Sequence, residues 1–320
     1  MAIRAARSAH VLTPSSVATV AEAAGKGPCR LAPLGDGFVV LGQGRKNAAA
    51  LDAALGLRAS FPLKAHGQIA GSEDGQRIAA ATVGGVRVFD VTGKIVRKEE
   101  DAEWWEENSG AVCFVGDRVV FVCIPDEELL DEKLAVGVLD LGAKKAAPVL
   151  ATLEFGHEAH HRLYPLPSGG AVLWSNAQQD AQGWFHVELA EDGPQVKKLP
   201  VKGAPGFLHW IDGEDVCVSG DSAVSFFDAE TGKTRRTISL DHALGEDDEL
   251  LAAAPHGEKL LLHVLSFRAR TQRLLEVDAT TSREVTVEGT RAGTVTGMAT
   301  SARSRTLLTF EDGTVAILEG

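Results

Sequence analysis

The sequence is poor in cysteine. Its four cysteines form no C-x-x-C pair and are too sparse for a disulfide framework. Cys113, Cys123 and Cys217 lie inside apolar, strand-like runs, where thiols are expected to be buried and reduced. This usage predicts a cytoplasmic protein.

Long apolar runs and a basic charge balance are also missing. No apolar segment approaches the ~20 residues that a membrane-spanning helix needs, and Arg4, Arg7 and Glu22 interrupt the N-terminal region, which is unlike a signal peptide. The net charge of −12 argues against broad nucleic-acid binding, which needs a basic surface. We therefore expect a soluble chain with neither a membrane nor a nucleic-acid partner.

Short β-rich runs separated by turn residues fill the rest of the sequence. The clearest segment is "SEDGQRIAAATVGGVRVFDVTGKIVRKEE", residues 72–100. Its Asp-Gly, Gly-Gly and Thr-Gly pairs predict hairpins. They join strands near 77–83, 86–90 and 94–98.

The pattern of this segment recurs along the chain. Six further runs resemble "RIAAAT" at 77: "FVVLG" at 38, "RVVFVC" at 118, "AVLWS" at 171, "VCVSG" at 216, "LLLHV" at 260 and "LLTFE" at 307. Their spacing of about 40 to 53 residues is the period of a four-stranded propeller blade. A turn precedes each run, and an acidic residue closes the next strand in most repeats, at Asp52, Asp90, Asp140, Asp228 and Asp278. Glu188 in "WFHVEL" is the weakest match.

Seven repeats predict an all-β chain, with residues 1–320 forming a single seven-bladed β-propeller of four-stranded antiparallel blades. The last repeat ends after its third strand, and residues 16–23, "SVATVAEA", are predicted to supply the missing fourth strand and close the ring. The expected blades cover roughly 24–62, 63–99, 108–155, 160–201, 204–240, 249–288 and 293–320 together with 16–23.

Two segments carry a family resemblance. "SEDGQRIA…VRVFDVTGK" and "VSFFDAETGKTRRTI" resemble the repeats of WD-repeat and WD-like propellers, with Phe89 and Phe227 in place of the family's tryptophan. The resemblance implies a seven-bladed propeller and extends over essentially the whole chain. It does not indicate a subfamily.

The stretch "GHEAHH", residues 156–161, contains H-E-x-x-H, a zinc-protease signature when it lies on a helix. Gly156, Pro165 and the flanking β-rich runs disfavour a helix here. In extended backbone His157 and His161 would lie roughly 13 Å apart, too far to share one zinc ion. We expect the segment to connect the third and fourth blades, with its histidines in a loop.

Several residues are candidates for a binding surface. In WD-like propellers, the connections from second to third strand and from one blade to the next emerge on one face, which we call the loop face. Binding and catalytic residues are often found on such loops. Trp104 and Trp105 within an acidic run are typical of binding hot spots, unless they cover a blade edge. The predicted partner-binding residues are Glu103, Trp104, Trp105, Glu106, His160, His161, Arg268 and Arg270.

The sequence predicts a non-catalytic protein-interaction module or scaffold subunit. No G-x-S-x-G, phosphate-binding loop or dinucleotide motif is present, and we expect no cofactor. The acidic residues around the tryptophans suggest a basic protein or peptide partner. The alternative is a metal-dependent hydrolase with a site on the loop face or in the central channel, for which His157, Glu158, His160 and His161 are the first candidate ligands.

Overall fold

The computed structural model contains almost only strands. It describes residues 10–27, 30–42, 47–82, 84–100, 110–123, 133–143, 149–154, 159–177, 181–201, 207–212, 215–219, 222–290, 295–301 and 305–319. The N-terminal part forms β1 (His10–Leu12), β2 (Ser16–Thr19) and the short helix α1 (Ala21–Ala24). Within the described residues no helix is long and apolar enough to cross a membrane.

The remaining strands form seven antiparallel sheets, each a blade. Blade 1 contains β3 (Arg30–Leu34), β4 (Gly37–Leu41), β5 (Asn47–Leu51) and β6 (Leu57–Pro62); blade 2 contains β7 (Ala65–Gly71), β8 (Arg77–Thr82), β9 (Gly85–Asp90) and β10 (Ile95–Glu99). Blade 3 contains β11 (Val112–Val115), β12 (Arg118–Cys123), β13 (Lys133–Asp140) and β14 (Val149–Glu154); blade 4 contains β15 (Ala159–Pro165), β16 (Ala171–Ala177), β17 (Ala181–Ala190) and β18 (Gly193–Lys198). Blade 5 contains β19 (Phe207–Asp212), β20 (Asp215–Ser219), β21 (Ala223–Asp228) and β22 (Thr234–Ser239); blade 6 contains β23 (Asp248–His256), β24 (Lys259–Ser266), β25 (Thr271–Val277) and β26 (Ser282–Val287). Blade 7 contains β27 (Val295–Thr300), β28 (Arg305–Phe310) and β29 (Thr314–Glu319).

The blades close into a ring. Each first strand contacts the first strand of the next blade, including β27 of blade 7 against β3 of blade 1. The N-terminal strand β2 pairs antiparallel with β29 and supplies the fourth strand of blade 7. The chain is a seven-bladed β-propeller. The predicted closure is confirmed, although the strand ends at Thr19 and α1 occupies residues predicted to be strand.

A fifth strand on blade 6 was not predicted. Strand β1 pairs in parallel with β26, from His10 opposite Val285 to Leu12 opposite Val287. Leu12 is buried in the cluster between blades 6 and 7, and Thr13 Oγ1 donates a hydrogen bond of 2.9 Å to Glu288 Oε2. The N-terminal segment therefore holds two adjacent blades together.

The seven recurring runs are the second strands of the blades, where the chain is most apolar. Phe38 on β4, Ile78 on β8 and Phe121 on β12 are fully buried, and each such side chain gains about 2 kcal/mol from burial. The clusters lie between blades rather than within them; one of them combines Phe38 of blade 1 with Ile317 of blade 7. Packing between neighbouring blades thus forms the core.

The repeated aspartates cap the turns between third and fourth strands. In each of five blades one carboxylate oxygen accepts backbone N–H groups of the turn; the residues are Asp52, Asp90, Asp140, Asp228 and Asp278. The hydroxyl and the N–H of Thr231, with Arg235, lower the pKa of Asp228 to about 2. Bonds from Thr281 and Thr280 likewise lower the pKa of Asp278. The repeated acidic residue is therefore structural.

The glycines of the two "TGK" turns permit close packing against the preceding blade. Gly93 and Gly232 have φ of +87° and +70°, which favours glycine. A Cβ on Gly93 would lie 2.4 Å from Phe61, and one on Gly232 would lie 3.0 Å from Pro200. The turns could not approach so closely with a side chain.

Candidate binding surface on the loop face

The described part of the loop face has one prominent turn, between β24 and β25 of blade 6. Phe267 is 61% exposed, although it is a large aromatic residue. Arg268 follows, with 87% of its side chain exposed, and Arg270 is exposed with φ of +52°. Arg268 and Arg270 lie in this connection, as the sequence predicts. We call residues 267–270 the blade 6 turn.

The blade 6 turn is fixed to the connection that leads from blade 5 into blade 6. The Phe267 N–H donates to the carbonyl of Asp247 at 2.9 Å. Next to it, the Asp248 carboxylate is 7% exposed, accepts a 2.8 Å hydrogen bond from the Gly245 N–H and pairs with Arg273. These bonds immobilise the backbone beneath the exposed phenyl ring.

Arg273 follows Arg268 and Arg270 closely in the sequence, but it does not lie in the same turn. It is the third residue of β25, opposite Val264, and its guanidinium is bound by Asp248. Its partner is a buried carboxylate, so Arg273 supports the turn rather than presenting a charge to a ligand. Arg268 lies 3.9 Å from Asp247 and remains exposed. Within the described chain, Arg270 forms no hydrogen bond or ion pair.

Acidic side chains border the turn. Asp241, Glu246 and Asp247 lie in the facing connection, and each is exposed or partly exposed. The surface is therefore mixed in charge, with two exposed arginines in the same turn as Phe267 and carboxylates in the facing connection.

His160 and His161 lie in a strand, so the prediction that both occupy a loop was wrong. Strand β15 begins at Ala159, with His160 opposite Asn176 and His161 opposite Ser175. Neighbouring residues of a strand face opposite sides of the sheet, and His160 is exposed while His161 is 2% exposed. The pair therefore cannot converge on one ion. His157 and Glu158 lie outside the described residues.

His161 has a structural role. Its Nδ1 forms a 2.7 Å hydrogen bond with Ser175 Oγ, and Ser175 is fully buried between blades 3 and 4. A serine and a histidine in contact can suggest nucleophilic catalysis. Here both side chains are buried between β15, β16 and the neighbouring blade, so the described part of the chain leaves no room for a substrate beside them. The bond satisfies two buried polar groups.

The described residues contain neither a cluster of metal ligands nor an exposed cysteine. No group of three or more His, Cys, Asp or Glu side chains there is arranged to hold a metal ion. Cys113, Cys123 and Cys217 are buried free thiols, and burial raises the pKa of Cys123 to about 12. Cys113 lies opposite Val120 rather than Cys123, which excludes a disulfide between the two cysteines.

A cleft of about 450 Å³ lies away from the loop face, between the turns of blades 1 and 2. Four carboxylates line it, those of Asp36, Asp52, Glu73 and Asp74. Asp52 caps its own turn through Ala54 and Gly56, and Asp74 accepts hydrogen bonds from Ser72 and Gln76. At least two of the four carboxylates therefore have a structural role, because they accept hydrogen bonds within their own turns.

The sequence prediction missed Phe267, the most exposed large apolar residue on the described loop face. The signal was present in "LSFRARTQR", where an aromatic residue follows the end of a strand and precedes two arginines. The predicted Glu103, Trp104, Trp105 and Glu106 lie outside the described residues. His160 belongs to blade 4 and the blade 6 turn to blade 6, with blade 5 between them.

Structural comparison shows the fold alone. Hydrazine synthase from Kuenenia stuttgartiensis is 11% identical, with a TM-score of 0.60 over 92% of this chain and 96% of that one. A streptogramin B lyase is 10% identical, with a TM-score of 0.59 over 91% and 93%. A prolyl endopeptidase is 15% identical, with a TM-score of 0.59 over 92% of this chain, which spans only 48% of the endopeptidase. No protein-family model and no curated protein sequence matches the chain.

Proposed function

We propose that this propeller is a non-catalytic interaction module, or scaffold subunit, that binds a protein or peptide partner on its loop face. The observation that carries the proposal is the blade 6 turn, where Phe267 is 61% exposed beside the exposed Arg268. Aromatic and arginine side chains are enriched among the residues that dominate binding free energy.

The rigidity of the turn supports the proposal. Ordering a loop on binding costs free energy. The Phe267 N–H bond to Asp247 and the buried Asp248 hold the turn in place before any partner arrives. A partner therefore meets a pre-organised surface.

The chemistry of the turn favours carboxylate groups on the partner, next to an apolar side chain. Arg268 and Arg270 can each donate two hydrogen bonds to a carboxylate, and Phe267 offers an apolar contact in the same turn. The sequence-based prediction of a basic partner depends on the acidic residues around Trp104 and Trp105. A partner segment that contacts both regions would carry both signs of charge.

We also infer that the chain is a divergent WD-like propeller. Phe89 and Phe227, at the positions of the family's tryptophan, are buried at 4% and 1% exposure, and each precedes a capping aspartate. A Phe89→Trp variant should then fold with a similar melting temperature, because the family packs the larger ring at this position. A large loss of stability would argue against the relationship.

Affinity capture from cells of the native host tests the binding function. The wild-type chain is compared with Phe267→Ser and with Leu57→Ser, a matched control because Leu57 is 55% exposed on an outer strand of blade 1. We expect one protein to be recovered in stoichiometric amount with the wild type and the control but not with Phe267→Ser. Recovery that is equal for all three proteins, or absent for all, contradicts the proposal.

A further inference from the structure

Among the residues that the structure describes, two that are not glycine have a left-handed backbone. They are Leu55, with φ of +66°, and Arg270, with φ of +52°. This region is disfavoured for residues that carry a Cβ atom. Such a residue persists where its contacts compensate the strain or where a function requires its side chain.

The strain at Leu55 is compensated by packing. Leu55 lies in the turn between β5 and β6 and is 4% exposed, in the cluster that also contains Phe38 and Ile317. Burial of a leucine side chain gains at least as much free energy as a left-handed backbone costs. The conformation of Leu55 therefore belongs to the core of the propeller.

Arg270 has no such compensation. It is exposed, and it is the last of the four residues between Ser266 and Thr271, which pair in the β24–β25 hairpin. In the part of the chain that the structure describes, its side chain makes no hydrogen bond, ion pair or ring contact. The corresponding turns of blades 2 and 7 have glycine in the left-handed region, at Gly84 and Gly313. Glycine at position 270 would adopt this backbone without strain, so the fold itself does not require the arginine.

We propose, on the basis of the binding function given above for this turn, that Arg270 selects the partner by pairing with an aspartate or glutamate carboxylate in a peptide segment. A guanidinium presents a planar fork of N–H donors that matches a carboxylate. Such charge-assisted pairs are stronger than hydrogen bonds between neutral groups. The strained backbone at Arg270 is thus explained by a contact that the partner supplies.

Arg268 is less available to a partner than Arg270. Its Nη1 lies 3.9 Å from Asp247 Oδ2, so its charge is already partly matched within the chain. A partner carboxylate competes with Asp247 for Arg268, whereas at Arg270 it meets no competing carboxylate among the described residues. Arg270 therefore contributes more to selection than Arg268.

The charges around the turn favour a carboxylate over a phosphate group. Asp241, Glu246 and Asp247 lie in the facing connection, and the chain has a net charge of −12. A phosphorylated side chain carries about two negative charges at pH 7, so these acidic residues repel it more strongly than a carboxylate. We therefore expect the selected segments to carry aspartate or glutamate near an apolar residue that contacts Phe267.

Selection from random peptides displayed on phage tests this role of Arg270. Peptides are selected on immobilised wild type, and those that also bind Phe267→Ser are removed. One of the remaining peptides is synthesised and titrated against purified variants at about 0.15 M salt. Arg270→Gln should raise its Kd by about tenfold, and Arg268→Gln by less than about threefold. A peptide with an amide in place of its carboxylate should bind the wild type and Arg270→Gln equally.

Arg270→Gly separates selection from a structural role. Glycine relieves the left-handed strain, so this variant should melt at a higher temperature than the wild type. It should nevertheless bind the peptide as weakly as Arg270→Gln does. The matched change is Leu55→Gly, which relieves the same strain but removes a buried side chain, and it should melt at a lower temperature.

The results distinguish the role of Arg270 from the binding function of the turn. A selection that yields no peptide dependent on Phe267 contradicts both. Peptides that depend on Phe267 but lack an acidic residue, or that bind Arg270→Gln as tightly as the wild type, overturn the role of Arg270 alone. An Arg270→Gly variant that melts below the wild type also overturns it, because the arginine then stabilises the fold. Tighter binding of a peptide with phosphoserine in place of its acidic residue would contradict the preference for a carboxylate.

Discussion

The side-chain amide of Gln68 pairs with both backbone polar groups of Leu163. Gln68 Nε2 donates to the Leu163 carbonyl at 2.6 Å, and the Leu163 N–H donates to Gln68 Oε1 at 2.9 Å. Gln68 belongs to blade 2 and Leu163 to blade 4, so the pair spans blade 3. The backbone N–H of Gln68 also donates to Gly110 at 2.8 Å, at the entry to blade 3. One residue thus ties three inner strands together.

Replacement of Gln68 should destabilise the ring. Gln68→Ala leaves two partly buried backbone groups of Leu163 without their partner, which we expect to cost about 1–3 kcal/mol. Denaturant unfolding measures this loss. Gln195→Ala, an exposed glutamine on β18, is the control and should change stability by less than ~0.5 kcal/mol. Equal effects of the two changes would show that the bridge does not stabilise the propeller.

Arg305 should stabilise the closure between blades 7 and 1. Its side chain is 14% exposed, and its guanidinium binds Glu319 in its own blade and the carbonyls of Asp36 and Ala53 in blade 1. Arg305→Met keeps the apolar stem and removes these bonds, with an expected loss of about 2 kcal/mol. The control is Arg268→Met, at an arginine whose side chain is 87% exposed. A melting temperature unchanged in both variants would contradict this role.

Asp228 should contribute to acid stability. Its folded pKa is about 2, below the ~3.9 of an unfolded aspartate. The contribution is therefore fully present above about pH 4 and is lost as the pH falls through 2. Asp228→Asn should unfold more easily at pH 7, by about 1–2 kcal/mol, and the difference from wild type should shrink between pH 4 and pH 2. A difference that stays constant over this range would contradict the assignment.

The two histidines of β15 should respond differently to substitution. His161→Ala removes the bond to the buried Ser175 and leaves a cavity, so we expect a loss of about 2–3 kcal/mol. His160→Ala, at an exposed position, should leave the melting temperature nearly unchanged. Metal analysis of protein purified without a histidine tag should give the same metal content for both variants and for the wild type. Stoichiometric zinc that is lost in either variant would favour the hydrolase alternative.

The fold was largely predictable because its signals are local and repeated. "RIAAAT" and its six counterparts became second strands since each is buried on both faces, and Asp90 and Asp228 mark turns whose N–H groups need an acceptor. The closing strand was predictable from the incomplete last repeat. Strand β1 was not predictable, because a strand of three residues is too short to show a periodic pattern of apolar residues.

The candidate surface was less predictable because exposure depends on tertiary context. Arg268 and Arg270 were predicted from the turn that contains them. Arg273 resembles them in sequence, but it lies in β25 and pairs with Asp248. His161 appears in a metal motif, and only the strand register shows that it faces Ser175. The sequence does not show whether Phe267 folds into the core or faces solvent.

The most direct test of the binding function is a titration of the purified partner against wild type and Phe267→Ala. A hot-spot residue costs at least about 2 kcal/mol when truncated, or roughly a 30-fold rise in Kd. We predict such a rise for Phe267→Ala, with an unchanged melting temperature and no change for Leu57→Ala. An affinity for Phe267→Ala within about threefold of the wild type, a difference of less than ~0.7 kcal/mol, would contradict the assignment of the blade 6 turn as the binding surface.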